Sequence, residues 1–157
     1  MKARVGRLRT AARGKTSVVV VTAVALLWGR ICGGRGSWNP EYRLYVCAGM
    51  RAGFARGGTC VGGVFLTGTA EPRDRLLRHE AVHADQWARH GVTFPFRYLR
   101  EEMRNPGVKN RFEVAAGLED GGYVKRGGTV PEPAPKRRPK SRPATDPNAN
   151  GHRPAAD

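Results

Sequence analysis

Two histidines and a glutamate in this chain have the types and the spacing for metal-assisted chemistry. They are His79, Glu80 and His83, in the run Leu76-Leu77-Arg78-His79-Glu80-Ala81-Val82-His83. Residues four apart on an α-helix share one face and lie about 6 Å apart along its axis. Both imidazoles can therefore reach one metal ion, and the carboxylate between them can hold a water beside it. In an H-E-x-x-H arrangement the histidines are ligands and the glutamate is the general base rather than a ligand. Histidines on a half-buried helix face are more often plain packing residues. Here two of the chain's four histidines bracket a glutamate, and that favours the metal reading.

A helix must carry these groups, and the flanks provide one. Pro72 suits a first turn, Asp74 places a negative charge near the N-terminus, and Gly91 can end the helix in a left-handed conformation. Leu76, His79, His83, Trp87 and His90 step by three or four residues, so the chemical face coincides with the inward face. A second, short helix is expected over Phe96–Arg104, with Phe96, Leu99 and Met103 on one side. Asn105-Pro106-Gly107 is a strong stop, and a third helix is expected from about Asn110 to Glu119. Two reversals can return this third helix to the side of the first.

That return matters because a catalytic zinc takes three protein ligands and keeps a position open for water. Asp85 lies roughly 200° around the helix from His83 and points away. His90 suggests a metzincin pattern, but Gln86 and Arg89 stand where that pattern needs glycine and histidine. Glu101 and Glu102 read as the solvent face of the second helix. Glu113, among Phe112, Val114 and Ala116, is the best third ligand. Asn110 with Glu113 three residues on is also an N-terminal capping arrangement, which leaves a purely structural role open.

Upstream, Tyr42–Cys47 alternates like a strand, and Thr59–Gly68 reads as a second strand region with a bulge at Gly62-Gly63. One of these strands could be an edge beside the motif helix, to which an extended substrate adds; a plain supporting sheet is the more economical reading. Val18–Trp28 is apolar, follows a basic leader, and is too short for a helix to span a bilayer, which takes about 20 residues. Its β-branched start, Val18-Val19-Val20-Val21-Thr22, favours a buried strand. No A-x-A site follows, so a cytoplasmic protein is expected, with export or membrane anchoring through residues 17–28 as the alternative. Cys32, Cys47 and Cys60 form no C-x-x-C pair and read as buried thiols in a reducing compartment.

The net charge of +15 is mostly a property of the two ends. Residues 1–16 carry six basic and no acidic side chains, and residues 125–157 carry eight basic and three acidic ones, which leaves +4 on residues 17–124. Arginine outnumbers lysine 22 to 6, and with no aromatic stacking platform the charge implies no specific nucleic-acid partner. The expected organisation is a basic flexible segment at 1–16, one domain at 17–124, and a disordered Pro-rich tail at 125–157 able to bind an anionic partner weakly. The fold class is α+β, a small antiparallel sheet followed by three helices.

His79-Glu80-Ala81-Val82-His83-Ala84-Asp85-Gln86-Trp87, followed by Asn110-Arg111-Phe112-Glu113-Val114-Ala115-Ala116, resembles the gluzincin type of metallopeptidase. It is similar in particular to small bacterial predicted peptidases with an H-E-x-x-H-x-x-Q helix and a later N-x-F-E-x-x-A helix. The resemblance covers about residues 59–123. It implies a zincin-like core, zinc held by His79, His83 and Glu113, Glu80 as the base, and a peptide or protein substrate. In thermolysin-like members an aspartate four residues after the ligand glutamate orients a ligand histidine. Position 117 is glycine here, so Asp120 is the candidate substitute, and Gln86 is a candidate for a supporting hydrogen bond. Tyr98, His90, Arg111 and Tyr123 are candidates for the group that stabilises a tetrahedral intermediate. A metal-stabilised scaffold without turnover, and a basic protein binding nucleic acid or an anionic surface, are the competing readings.

Overall fold

A computed structural model describes residues 2–55 and 57–125; the expected tail falls, but for Lys125, outside the described residues. The fold is α+β: two N-terminal helices, a four-stranded sheet, then three more helices. α1 (Lys2–Ala11) and α2 (Thr16–Ile31) precede β1 (Arg35–Asn39), β2 (Leu44–Ala48), β3 (Thr59–Val61) and β4 (Val64–Leu66). α3 (Asp74–His90), α4 (Phe94–Arg104) and α5 (Arg111–Ala116) follow among the described residues, with short 3-10 turns between them.

Several expectations are corrected. The sheet is mixed rather than antiparallel. Its order is β1-β2-β4-β3, with β2 and β4 parallel and the other two pairs antiparallel. Gly62 and Gly63 form the turn of the β3–β4 hairpin rather than a bulge. Gly62 has a φ of 62°, and a Cβ on Gly63 would meet the Ala11 carbonyl at 2.4 Å, so both positions require glycine. Residues 2–16 are not a loose leader: they form α1 and the connector to α2. Arg13 fixes that connector, at 2.6 Å from Asp85 and 2.7 Å from the Arg43 carbonyl.

Val18–Thr22 is helical, not extended. Val18, Thr22, Ala25 and Gly29 are buried at steps of three and four, a helical repeat that overrides the β preference of a valine run. Thr22 is satisfied there, since its hydroxyl donates to the Val18 carbonyl and accepts from the Gly63 amide. The inner side of α2 packs against the sheet, with Cys47, Val64 and Leu66 around Ala25. Its first turns meet the C-terminal helices, with Val18 beside Trp87, Phe94 and Phe112. All three cysteines are free; Cys47 and Cys60 are buried and Cys32 is half-buried.

α4 is also turned differently from expectation. Phe94 and Tyr98 face inward, while Phe96, Leu99 and Met103 are exposed. Glu102 is not a solvent-face residue: it accepts from the Asn110 side chain and the Gly107 amide, tying α4 to the turn before α5. No single helix among the described residues is long and apolar enough to cross a membrane.

Candidate metal centre

α3 presents His79, Glu80 and His83 on its inner face, and α5 lies against it. Asn110 starts α5 by accepting from the Phe112 amide with its own side-chain oxygen. With that cap supplied by Asn110, the Glu113 side chain is turned to α3 instead. His79 Nε2 lies 3.1 Å from His83 Nε2 and 3.1 Å from Glu113 Oε2, and His83 Nε2 lies 3.6 Å from the same oxygen. All three side chains are buried, Glu113 to 2% exposure. The three atoms lie within 4.8 Å of one another, as one metal ion requires.

The hydrogen bonds behind the ligand atoms decide their character. His79 Nδ1 lies 3.0 Å from the Gly117 carbonyl, which can only accept, so the neutral ring carries its proton on Nδ1. Gln86 donates its amide to the Phe112 carbonyl at 3.0 Å, which turns its oxygen to His83 Nδ1 at 2.9 Å. His83 is thereby protonated on Nδ1 as well. Both Nε2 atoms then present lone pairs to each other and to Glu113 Oε2, which has no hydrogen-bond donor. With both rings neutral, the three acceptors repel unless a proton or a metal cation joins them. Their separations also match the edge of a tetrahedron with bonds of ~2.0–2.1 Å, which is ~3.3–3.4 Å. These residues could hold a metal ion.

Titration follows from the same contacts. Burial works against a charged Glu113, but the two imidazoles and the Tyr98 hydroxyl outweigh it and hold its pKa well below the usual carboxylate range. Tyr98 donates to Glu113 Oε1; burial and that bond push the phenol far above its ordinary value. Burial opposes an imidazolium at His83, yet Glu113 and Glu80 leave its pKa raised. Burial is also the main cause of the raised pKa of Glu80, whose Oε2 is buried with no hydrogen-bond partner.

Of the residues named from sequence, His79, Glu80, His83, Gln86 and Glu113 come together. Asp120 does not join them: it pairs with Arg78 at 3.5 Å, and the Gly117 backbone carbonyl takes the place expected for an aspartate side chain. Of the candidate electrophiles, Tyr98 reaches Glu113, while His90 stacks on Phe94 and Arg111 lies over Phe112. The Tyr123 ring centroid is 6.4 Å from that of His79. Asp85 points away to Arg13, as its helical position requires.

The site is closed on one side. Gly121 lies so close to His79 that a Cβ there would come within 2.5 Å of the ring. Two surface depressions, of about 450 Å³ beside Arg9, Arg13 and Arg43 and about 350 Å³ beside Val20, Val24 and Trp28, open elsewhere. Comparison with protein-family models, with curated proteins and with solved structures finds no match.

Proposed function

We propose that the chain is a zinc-dependent metallopeptidase with His79, His83 and Glu113 as ligands and Glu80 as general base. One observation carries the reading: two imidazoles and a carboxylate, all buried, converge closely enough to hold one ion, and Glu113 Oε2 has no hydrogen-bond partner. A bound ion would supply Lewis-acid polarisation of a scissile carbonyl and a water acidified towards a pKa of ~7. Glu80 does the proton work, since its unpartnered Oε2 is free to take a proton from water and return it to a leaving amine. Its raised pKa brings it nearer to neutrality, where such a transfer is efficient. Gln86 and the Gly117 carbonyl orient the imidazoles, and Tyr98 holds Glu113. The zincin-like core, zinc as the ion, a peptide or protein substrate and a cytoplasmic setting all belong to this proposal. A His, His, Glu donor set with a carboxylate beside it suits zinc.

A second reading, a metal-stabilised scaffold without turnover, is favoured by the packing of Gly121 on His79, because structural zinc sites are closed. In the peptidase, a substrate must reach the ion from a side other than the one Gly121 closes. Edge addition to β3 is limited by Trp87, whose indole donates to the Cys60 carbonyl at 2.9 Å.

Elemental analysis of the purified protein beside His83→Ala is the first test, with zinc expected in the wild type alone. Glu80→Gln, tested on unfolded protein substrates, should keep zinc and lose hydrolysis. If wild type and Glu80→Gln hold zinc and are equally inert, the scaffold reading replaces the peptidase. Protein that stays metal-free when refolded with zinc removes both.

A further inference from the structure

α2 is apolar on both sides, but among the described residues only one side is packed against the rest of the fold. Val18, Thr22, Ala25 and Gly29 face the core, while Val20, Val24, Leu27 and Ile31 are 62%, 62%, 61% and 70% exposed. A helix that is hydrophobic all round is normally covered all round, and contiguous exposed apolar surface marks an interaction site. Trp28, 48% exposed, lies beside this face and keeps its indole N–H on the Gly53 carbonyl at 3.0 Å.

The charge around the face says what covers it. The first acidic residue of the chain is Glu41, and eight basic residues precede it. Lys15 stands just before α2 and Arg30 in its last turn, and both are exposed. α1, packed on α2, adds Arg4, Arg7 and Arg9, all exposed. An apolar face on a helix with a cation at each end, in a segment whose first acidic residue is Glu41, complements a surface that is apolar inside and anionic at its rim. A lipid bilayer with anionic headgroups is such a surface. Nucleic acid would engage the cations and leave the apolar face uncovered. A second copy packed symmetrically would bring like charges together. At 16 residues α2 is shorter than the ~20 needed to span, and its inner side is committed to the core, so it can only lie in the membrane plane.

We propose that the outward face of α2, with its flanking basic residues, docks this protein in-plane on an anionic bilayer. Trp28 then sits at headgroup level, where indoles concentrate. This inference does not rest on the metal centre.

The test is co-sedimentation of the full chain with phosphatidylcholine vesicles, with and without phosphatidylglycerol, while tryptophan emission is recorded. Binding is expected only with phosphatidylglycerol, weakening as salt rises. A blue shift is expected in the wild type and is lost in Trp28→Phe. Leu27→Ser, at an exposed position, should weaken binding about tenfold or more with an unchanged circular dichroism spectrum. Val24→Ser serves the same purpose if Leu27→Ser does not fold. Vesicle binding that survives both substitutions and leaves the emission unmoved belongs to the basic tail and overturns the proposal. A dimer in sedimentation equilibrium that Leu27→Ser dissolves, without vesicle binding, names a second copy as the occupant and also overturns it.

Discussion

The Glu113 side chain is charged in a residue 2% exposed, whereas the Ile31 side chain has no polar atom in a residue 70% exposed. The two regions they represent invert the usual distribution of polarity in opposite directions. Between α3 and α5, acceptors are taken out of water without donors; along α2, apolar side chains are left in it. On the two proposals made above, what is missing is a cation in the first case and an apolar phase in the second. The costs differ. An unsatisfied buried polar group costs about 1–3 kcal/mol, and more when charged, while substitution at an exposed site usually changes stability by less than about 0.5 kcal/mol. The centre between α3 and α5 should therefore respond strongly to its missing partner, and the α2 face hardly at all unless lipid is present.

The largest response is to the ion. Zinc at about a hundredfold excess over its dissociation constant adds ~2.7 kcal/mol, which raises the melting temperature by roughly 10 °C for a domain of this size. His83→Ala should abolish that shift. A wild-type melting curve indifferent to zinc would break the comparison, since the buried cluster would then have no missing partner.

Next is Gln86→Leu. The side chain fills similar space but no longer accepts from His83 Nδ1 or donates to the Phe112 carbonyl. Loss of a bond behind a ligand histidine typically costs 10–100-fold in metal affinity. Isothermal titration with zinc would measure it, and unchanged affinity would show that the tautomer of His83 is set by something else.

How far this site could be read from the chain depends on where its information resides. The spacing of His79, Glu80 and His83 is a property of side chains on one helix, and it carried directly into three dimensions. Glu113 was legible through its apolar neighbours and the demand for a third ligand, and Asn110, its rival explanation, proved to cap α5 unaided. The Gly117 carbonyl was invisible, because a backbone atom has no residue type to signal it. The β-branched character of Val18–Thr22 points to a strand where the chain forms α2. The helical repeat of Val18, Thr22, Ala25 and Gly29 was present, and an eleven-residue apolar run already exceeds a typical strand. β1, Arg-Gly-Ser-Trp-Asn, has no apolar alternation to betray it. The parallel pairing of β2 with β4 joins segments whose local patterns say nothing of each other.

Glu113→Gln offers a smaller effect. Glutamine removes the charge that the two imidazoles and Tyr98 favour, so the metal-free protein should lose about 1 kcal/mol in urea unfolding near neutral pH while zinc affinity also falls. The pH dependence separates the two states of the wild type. His83 has a raised folded pKa, so the stability it contributes to the metal-free protein is complete below the ordinary imidazole value and is lost as pH rises through the folded one. Glu80, also raised, acts with the same sign from the ordinary carboxylate value upward. Zinc requires both rings deprotonated, so the stabilisation it adds must grow over the rise that weakens the empty site. Parallel trends in the two states would remove the proton and the metal as competitors for one place.

The smallest effect tests the other half of the comparison. Val24 and Val18 lie on the same helix, one 62% exposed and one fully buried. Val24→Ser removes two methyl groups that already face water and adds a hydroxyl that can remain hydrated. Its stability in urea should therefore lie within about 0.5 kcal/mol of wild type. A loss much larger than that would mean that the outer side of α2 is already covered in the folded chain, for which residues 126–157 are the available segment. The face would then be an internal contact, and its charge pattern a property of the tail's docking. Wild-type stability combined with lost vesicle binding would instead separate the two sides of α2 by role, one holding the fold together and the other reserved for the membrane.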